Sequence, residues 1–124
     1  MSEKILVVDD SLTARHVMID ILSETNFEID EAANGLEGLD KLQKIDNVKL
    51  IFTDLNMPEM NGLEMIREIR QTEHLKNIPI CLFTTKGDGN ALEAAKDLGV
   101  NAFLVKPALH EHVISVVKSF TSKK

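Results

Sequence analysis

The strongest constraint on the fold is a regular alternation of short apolar runs with segments of helical periodicity. Four runs are almost entirely apolar: Ile5–Val8, Leu50–Thr53, Ile80–Phe83 and Ala102–Val105. A weaker run lies around Glu28–Ala32. Continuous apolar runs of this length are typical of strands that are buried on both faces of a sheet.

Between these runs, apolar residues recur every three or four positions, as they do on the buried face of a helix. Ser11 or Thr13 can cap the first helix, and Gly99 can close the fourth. Asn34-Gly35 is a strong turn signal ahead of the second helix. The chain is therefore predicted to contain five strand–helix units.

Strands that alternate with helices predict a parallel sheet covered by helices on both faces. We predict an α/β fold, a single doubly wound (βα)5 domain over residues 1–124, with the flavodoxin-like strand order 2-1-3-4-5. A five-stranded Rossmann variant is the alternative. Ligands of such folds bind outside the carboxyl ends of the strands.

Charge and cysteine content exclude several classes of function. The net charge of −6 argues against a nucleic-acid partner, because binding to nucleic acid needs a basic face. Cys81 is the single cysteine, so no intramolecular disulfide can form. No apolar stretch approaches the ~20 residues that span a membrane. We expect a cytoplasmic, monomeric protein without membrane insertion.

The residues just beyond the predicted strands form a candidate site. Asp9 and Asp10 follow the first strand, Asp54 follows the third, Thr84 ends the fourth, and Lys106 follows the fifth. These positions share one edge of a doubly wound sheet. Carboxylates gathered there repel one another unless a cation pairs with them, and oxygen ligands with room for water favour Mg²⁺.

A metal, a lysine and a hydroxyl together can bind a group with several anionic oxygens, and phosphoryl fits that description. An ionised carboxylate can itself act as the nucleophile and form an aspartyl-phosphate. Asp54 lies on the predicted central strand, with acids on one side and Thr84 and Lys106 on the other. We therefore predict that Asp54 is the nucleophile and that Asp9 and Asp10 bind the metal.

Over its whole length the chain resembles the receiver domains of two-component response regulators. The motifs that carry the resemblance are Val7-Val8-Asp9-Asp10-Ser11, Thr53-Asp54-Leu55-Asn56-Met57-Pro58-Glu59-Met60-Asn61-Gly62, Phe83-Thr84-Thr85 and Val105-Lys106-Pro107. In this order and spacing they are highly specific, although each one alone occurs by chance in many proteins.

The resemblance implies a set of roles at this site. A sensor histidine kinase would donate a phosphoryl group to Asp54. Mg²⁺ would be bound by Asp10, Asp54 and the backbone carbonyl of Asn56, with Asp9 reached through water. Thr84 and Lys106 would hold the phosphoryl oxygens, and the Lys106–Pro107 peptide would be cis. The chain would assist its own phosphorylation and dephosphorylation without being an enzyme.

The resemblance also implies how the signal leaves the domain. Phosphorylation would draw Thr84 inward and turn Phe103 toward the vacated space. That movement would alter the surface of helix 4, strand 5 and helix 5, where a downstream protein binds. The Asp9-Asp10-Ser11-x-x-x-Arg15 run is similar to stand-alone chemotaxis regulators, although Phe103 replaces their usual Tyr and Lys86 replaces a common acid.

Other functions remain open at this point. The receiver could be a phosphorelay intermediate or a phosphate sink, because these roles need the same acidic site. A Mg²⁺-dependent phosphatase with an aspartyl nucleophile would need an Asp-x-Asp motif after strand one and a cap domain. A flavin or nucleotide binder would need an anion cradle where Asp9-Asp10 would repel phosphate.

Overall fold

The computed structural model describes residues 2–85 and 89–121. Its strands are β1 (Lys4–Val8), β2 (Glu28–Ala32), β3 (Val48–Thr53), β4 (Ile80–Thr84) and β5 (Ala102–Val105). Its helices are α1 (Leu12–Leu22), α2 (Gly35–Lys44), α3 (Gly62–Gln71), α4 (Gly89–Asp97) and α5 (His110–Thr121).

All strand pairs are parallel, and the strand order is β2-β1-β3-β4-β5. The predicted flavodoxin-like order is therefore confirmed, and the Rossmann alternative is not. The order reverses between β1 and β3, so the carboxyl ends of these two strands border the crevice in which doubly wound sheets bind ligands.

The central strands explain why their sequences are continuously apolar. Leu6 and Val8 of β1 pack into a core cluster with α2, α3 and α4, whereas Ile5 and Val7 pack into a second cluster with α1 and α5. Each successive side chain thus enters a different core, and both cores are closed by helices.

The two edge strands are less buried. β2 carries acidic residues on a half-exposed surface, and β5 is only half-buried, with 54% of Val105 exposed. Charged residues on β2 disfavour pairing with another chain at that edge. The apolar edge at β5 has no such protection.

Polar caps fix where the first three helices begin. Ser11 caps α1 by accepting a hydrogen bond from the Ala14 N–H, as predicted. Asn61 caps α3 in a reciprocal capping box with Glu64. Asn34-Gly35 marks the passage from β2 to α2, as the turn signal predicted, with Asn34 capping α2 and Gly35 its first helical residue.

Gly35 also joins α2 to the loop that follows β3. Its N–H donates to the Met60 carbonyl at 3.0 Å, and a Cβ at this position would lie 2.6 Å from that same oxygen. A larger residue would therefore push the β3–α3 loop away from α2. Gly99 closes α4 with a left-handed φ of 76°, as predicted.

Within the described ranges, no helix is long and apolar enough to cross a membrane. Lys86, which replaces a common acid in the sequence, lies outside the described residues.

Cys81 provides a test of how tightly the second core is closed. Burial raises the pKa of its thiol from 9.0 to about 12. The unfolded chain loses this proton at lower pH than the folded chain, so the thiol's contribution to stability is complete below about pH 9 and is lost as pH rises toward about 12.

We therefore expect the free energy of unfolding to fall more steeply across this alkaline range in the wild type than in Cys81→Ala. Denaturant titrations at a series of pH values measure the difference. Parallel pH profiles for the two proteins would show that the thiol is not shielded in the folded state.

Candidate functional site

Asp9 and Asp54 are brought together by the pairing of β1 with β3. Val8 lies opposite Thr53 in the register, and the Asp54 N–H donates to the Val8 carbonyl at 2.9 Å. Both carboxylates follow the last residue of their strand. They are also buried, since Asp9 is 0% exposed and Asp54 is 7% exposed.

Thr84 and Lys106 are brought together in the same way on the other side of β3. Thr84 pairs with Val105, and the Lys106 N–H donates to the Thr84 carbonyl at 2.9 Å. The Lys106–Pro107 peptide is cis, as the family resemblance implied. The Lys106 side chain returns over the sheet edge toward the two acids.

The Lys106 ammonium bridges the two buried carboxylates. Its Nζ lies 2.8 Å from Asp9 Oδ2 and 3.0 Å from Asp54 Oδ2, and 5.3 Å from the centre of the Phe83 ring. Burial by itself lowers the pKa of Lys106, but the adjacent Asp9 and Asp54 carboxylates outweigh it, so the pKa is raised.

The second oxygen of each carboxylate is held by the backbone. Asp9 Oδ1 accepts from the Ser11 N–H at 2.9 Å, and Asp54 Oδ1 accepts from the Leu55 N–H at 2.7 Å. A buried carboxylate without such partners would cost several kcal/mol. These contacts fix the orientation of both carboxylates.

Asp10 completes the predicted acidic cluster, but its environment differs from that of the other two. Carboxylate oxygens of Asp9, Asp10 and Asp54 all lie within 4.8 Å of one another, although Asp10 is exposed. Of the three acids predicted at this site, two are thus buried and one lies at the rim. Three oxygen donors, one of them open to water, fit a hard divalent cation such as Mg²⁺.

The remaining predicted site residues are Asn56, Thr84 and Phe103. Asn56 is exposed, two residues beyond Asp54, and coordination through its carbonyl stays a prediction. The Thr84 hydroxyl is buried without a hydrogen-bond partner among the described residues, whereas Thr85 is exposed. Phe103 is half-buried and packs against the core cluster formed with α2, α3 and α4.

The loop after Asp54 depends on Gly62. Its N–H donates to the Leu55 carbonyl at 2.8 Å. A Cβ at Gly62 would collide with the Asp54 carbonyl oxygen. The glycine therefore allows α3 to start directly against the backbone that carries Asp54.

Two residues make polar contacts that the sequence did not predict. Arg15 donates to the Asp9 carbonyl and to Glu31, yet the sequence marked it only as part of a motif. His110 is exposed, and its Nε2 lies 2.7 Å from Glu24 Oε1. In the sequence, only the acidic residues near the end of β2 indicated a partner for Arg15. No sequence signal links positions as distant as 24 and 110.

Comparisons with known proteins agree with this geometry. Residues 5–118 match the family model described as the response regulator receiver domain. The chain is 42% identical over 105 residues to the chemotaxis protein CheY1 of Helicobacter pylori, covering 84% of this chain and 85% of that protein.

Solved structures show the same fold. The phosphorylated cyanobacterial phytochrome response regulator RcpA superposes with a TM-score of 0.89 at 25% identity, covering 98% of this chain and 96% of that one. The Mn²⁺-bound form of response regulator Rcp1 superposes with a TM-score of 0.82 at 25% identity, covering 98% and 97%. The chain therefore belongs to the response regulator receiver domains, the phosphoacceptor signalling switches of two-component systems.

Proposed function

We propose that Asp54 is the phosphoryl acceptor of this receiver domain. The observation that carries the proposal is the position of its carboxylate: 3.0 Å from the Lys106 ammonium, within the same cluster as Asp9 and Asp10. Asp9 is also buried and contacts Lys106, but Asp54 follows the central strand β3, with Asp9 and Asp10 on the β1 side and Thr84 on the β4 side.

The proposed reaction is attack by an Asp54 carboxylate oxygen on the phosphorus of a phosphohistidine in a sensor kinase. The new O–P bond forms as the P–N bond breaks, and the electron pair of the P–N bond leaves with the imidazole. Negative charge then moves from the carboxylate to the phosphoryl oxygens. Lys106 can follow that charge because its Nζ already contacts Asp54 Oδ2.

Asp9, Asp10, Asp54 and the Asn56 carbonyl are the proposed Mg²⁺ ligands. When bound, the ion would neutralise charge on the phosphoryl oxygens. The Mn²⁺-bound structure of Rcp1 and the phosphorylated structure of RcpA support divalent-metal and phosphoryl chemistry on this fold. The family's ability to promote its own dephosphorylation is proposed for this chain on the same grounds.

Thr84 is proposed as the link between the phosphoryl group and the rest of the domain. Its buried hydroxyl has no partner among the described residues, so a phosphoryl oxygen would satisfy it. Movement of Thr84 would disturb β4 beside β5, where Phe103 lies opposite Leu82. We propose that Phe103 responds as the switch aromatic.

The proposed output surface is formed by α4, β5 and α5. Val105 is 54% exposed and Leu109 is 50% exposed, and the apolar edge of β5 suits a protein partner. The likeness to CheY1 supports a role in chemotaxis, with a phosphorelay intermediate or a phosphate sink as the alternatives. A monomeric state and a cytoplasmic location remain predictions.

Phosphorylation of Asp54 can be tested with acetyl phosphate and Mg²⁺, followed by intact-mass measurement. The wild type should gain one phosphoryl group, ~80 Da, because acyl phosphate supplies the same electrophilic phosphorus. Asp54→Asn should gain nothing, and a chelator should abolish the gain in the wild type.

Asp40→Asn is the matched control, since it makes the same substitution at an exposed acid on α2. It should be phosphorylated like the wild type. Full phosphorylation of Asp54→Asn would place the acceptor elsewhere.

Lys106 should compete with a divalent ion, because its ammonium contacts Asp9 Oδ2 and Asp54 Oδ2, oxygens of two proposed metal ligands. Lys106→Met removes this cation and keeps most of the side chain's length. We expect it to bind Mg²⁺ several-fold more tightly than the wild type by isothermal titration calorimetry.

Lys44→Met, which removes an exposed lysine paired with Asp40, should leave the affinity nearly unchanged. Weaker Mg²⁺ binding by Lys106→Met would show that the lysine supports the metal site instead of competing with the ion.

A further inference from the structure

Arg15 is held in an unusual way for a charged residue near the start of a surface helix. Only 14% of its side chain is exposed, and its Nε donates to Glu31 Oε1 at 2.8 Å. Its Nη1 donates to the backbone carbonyl of Asp9 at 2.7 Å. One guanidinium therefore connects α1, the end of β2 and the turn that follows β1.

That turn carries Asp10, the acid at the rim of the cluster. Among the described residues, none makes a hydrogen bond or ion pair with the Asp10 side chain. Its position is set by the backbone on either side. The peptide before it is held by Arg15 through the Asp9 carbonyl, and the Ser11 N–H after it donates to Asp9 Oδ1 at 2.9 Å.

We propose that Arg15 is a positioning residue for Mg²⁺ binding. It fixes the Asp9–Asp10 peptide and thereby keeps the Asp10 carboxylate within 4.8 Å of the Asp9 and Asp54 carboxylates. The inference rests on the proposed Mg²⁺ site and adds a residue that does not itself contact the ion. Glu31 orients the guanidinium by accepting from Nε.

The charge of Arg15 and its positioning role have opposite effects on the affinity for Mg²⁺. A positive charge near a cation site disfavours the cation, so loss of the Arg15 charge alone would tighten Mg²⁺ binding. Loss of a group that positions a ligand weakens binding, and partners that orient metal ligands are typically worth about 10- to 100-fold in affinity. The two effects act in opposite directions and can be separated.

The test uses two variants of the full chain and the Mg²⁺ dissociation constant from isothermal titration calorimetry. Arg15→Lys keeps the charge but loses the fork that reaches Asp9 and Glu31 together. Arg15→Met keeps an apolar stem and loses both charge and donors. We expect Arg15→Lys to bind Mg²⁺ about 10-fold more weakly than the wild type, as for other partners that orient metal ligands. Arg15→Met should also bind more weakly, but by a smaller factor, because the lost charge partly offsets the lost positioning.

Arg67→Lys is the matched control, because it makes the same substitution at an exposed arginine on α3. It should bind Mg²⁺ nearly as the wild type does. Thermal unfolding with and without Mg²⁺ separates stability from positioning: the rise in Tm caused by saturating Mg²⁺ is the effect of binding alone. That rise should be smaller in Arg15→Lys than in the wild type at the same Mg²⁺ concentration.

Wild-type affinity in Arg15→Lys, or tighter binding in Arg15→Met, would overturn the positioning role. No measurable Mg²⁺ binding by the wild type would instead refute the proposed metal site. The two failures are therefore distinguishable within one set of titrations.

Discussion

The structure depends on one cation between two buried acids. Asp9 and Asp54 lie at adjacent strand ends, and the Lys106 ammonium, 2.8 and 3.0 Å from their oxygens, offsets a repulsion that burial would otherwise magnify. Each acid is also anchored by a backbone N–H. The two carboxylates are buried beside a cation because β5 ends where it does, with Lys106 returning over β4 toward them.

This arrangement makes the site responsive to charge. A divalent ion and a phosphoryl group both act on the oxygens that Lys106 now bridges, so either one changes which contacts the lysine can keep. Lys106 is tied to Thr84 through its backbone N–H, and the Thr84 hydroxyl is buried without a partner among the described residues. Under the proposed function, a rearrangement of charge at Asp54 would reach β4 and β5 through these contacts and would bias a two-state element.

Much of the fold could be predicted because each central strand is buried on both faces, which leaves a continuous apolar run in the sequence. The site residues could be predicted because the carboxyl ends of parallel strands meet. The bridge from Lys106 to both acids could not, since it depends on strand register and on how a long side chain folds back. Arg15 was missed for a similar reason: its partners are a backbone carbonyl and a residue on another strand. The cap at Asn34 could not be told from a turn, because Asn serves equally as a turn residue and as a helix cap.

The most direct test of the central claim is a crystal structure of the domain with Mg²⁺ and beryllium trifluoride, a stable mimic of a phosphoryl group on a carboxylate. We expect beryllium to be bonded to Asp54 and Mg²⁺ to lie beside Asp10. Lys106 Nζ and the Thr84 hydroxyl should contact the fluorides. Beryllium bonded to another acid, or Asp54 modified while Lys106 still bridges Asp9 and Asp54 as it does now, would contradict the claim.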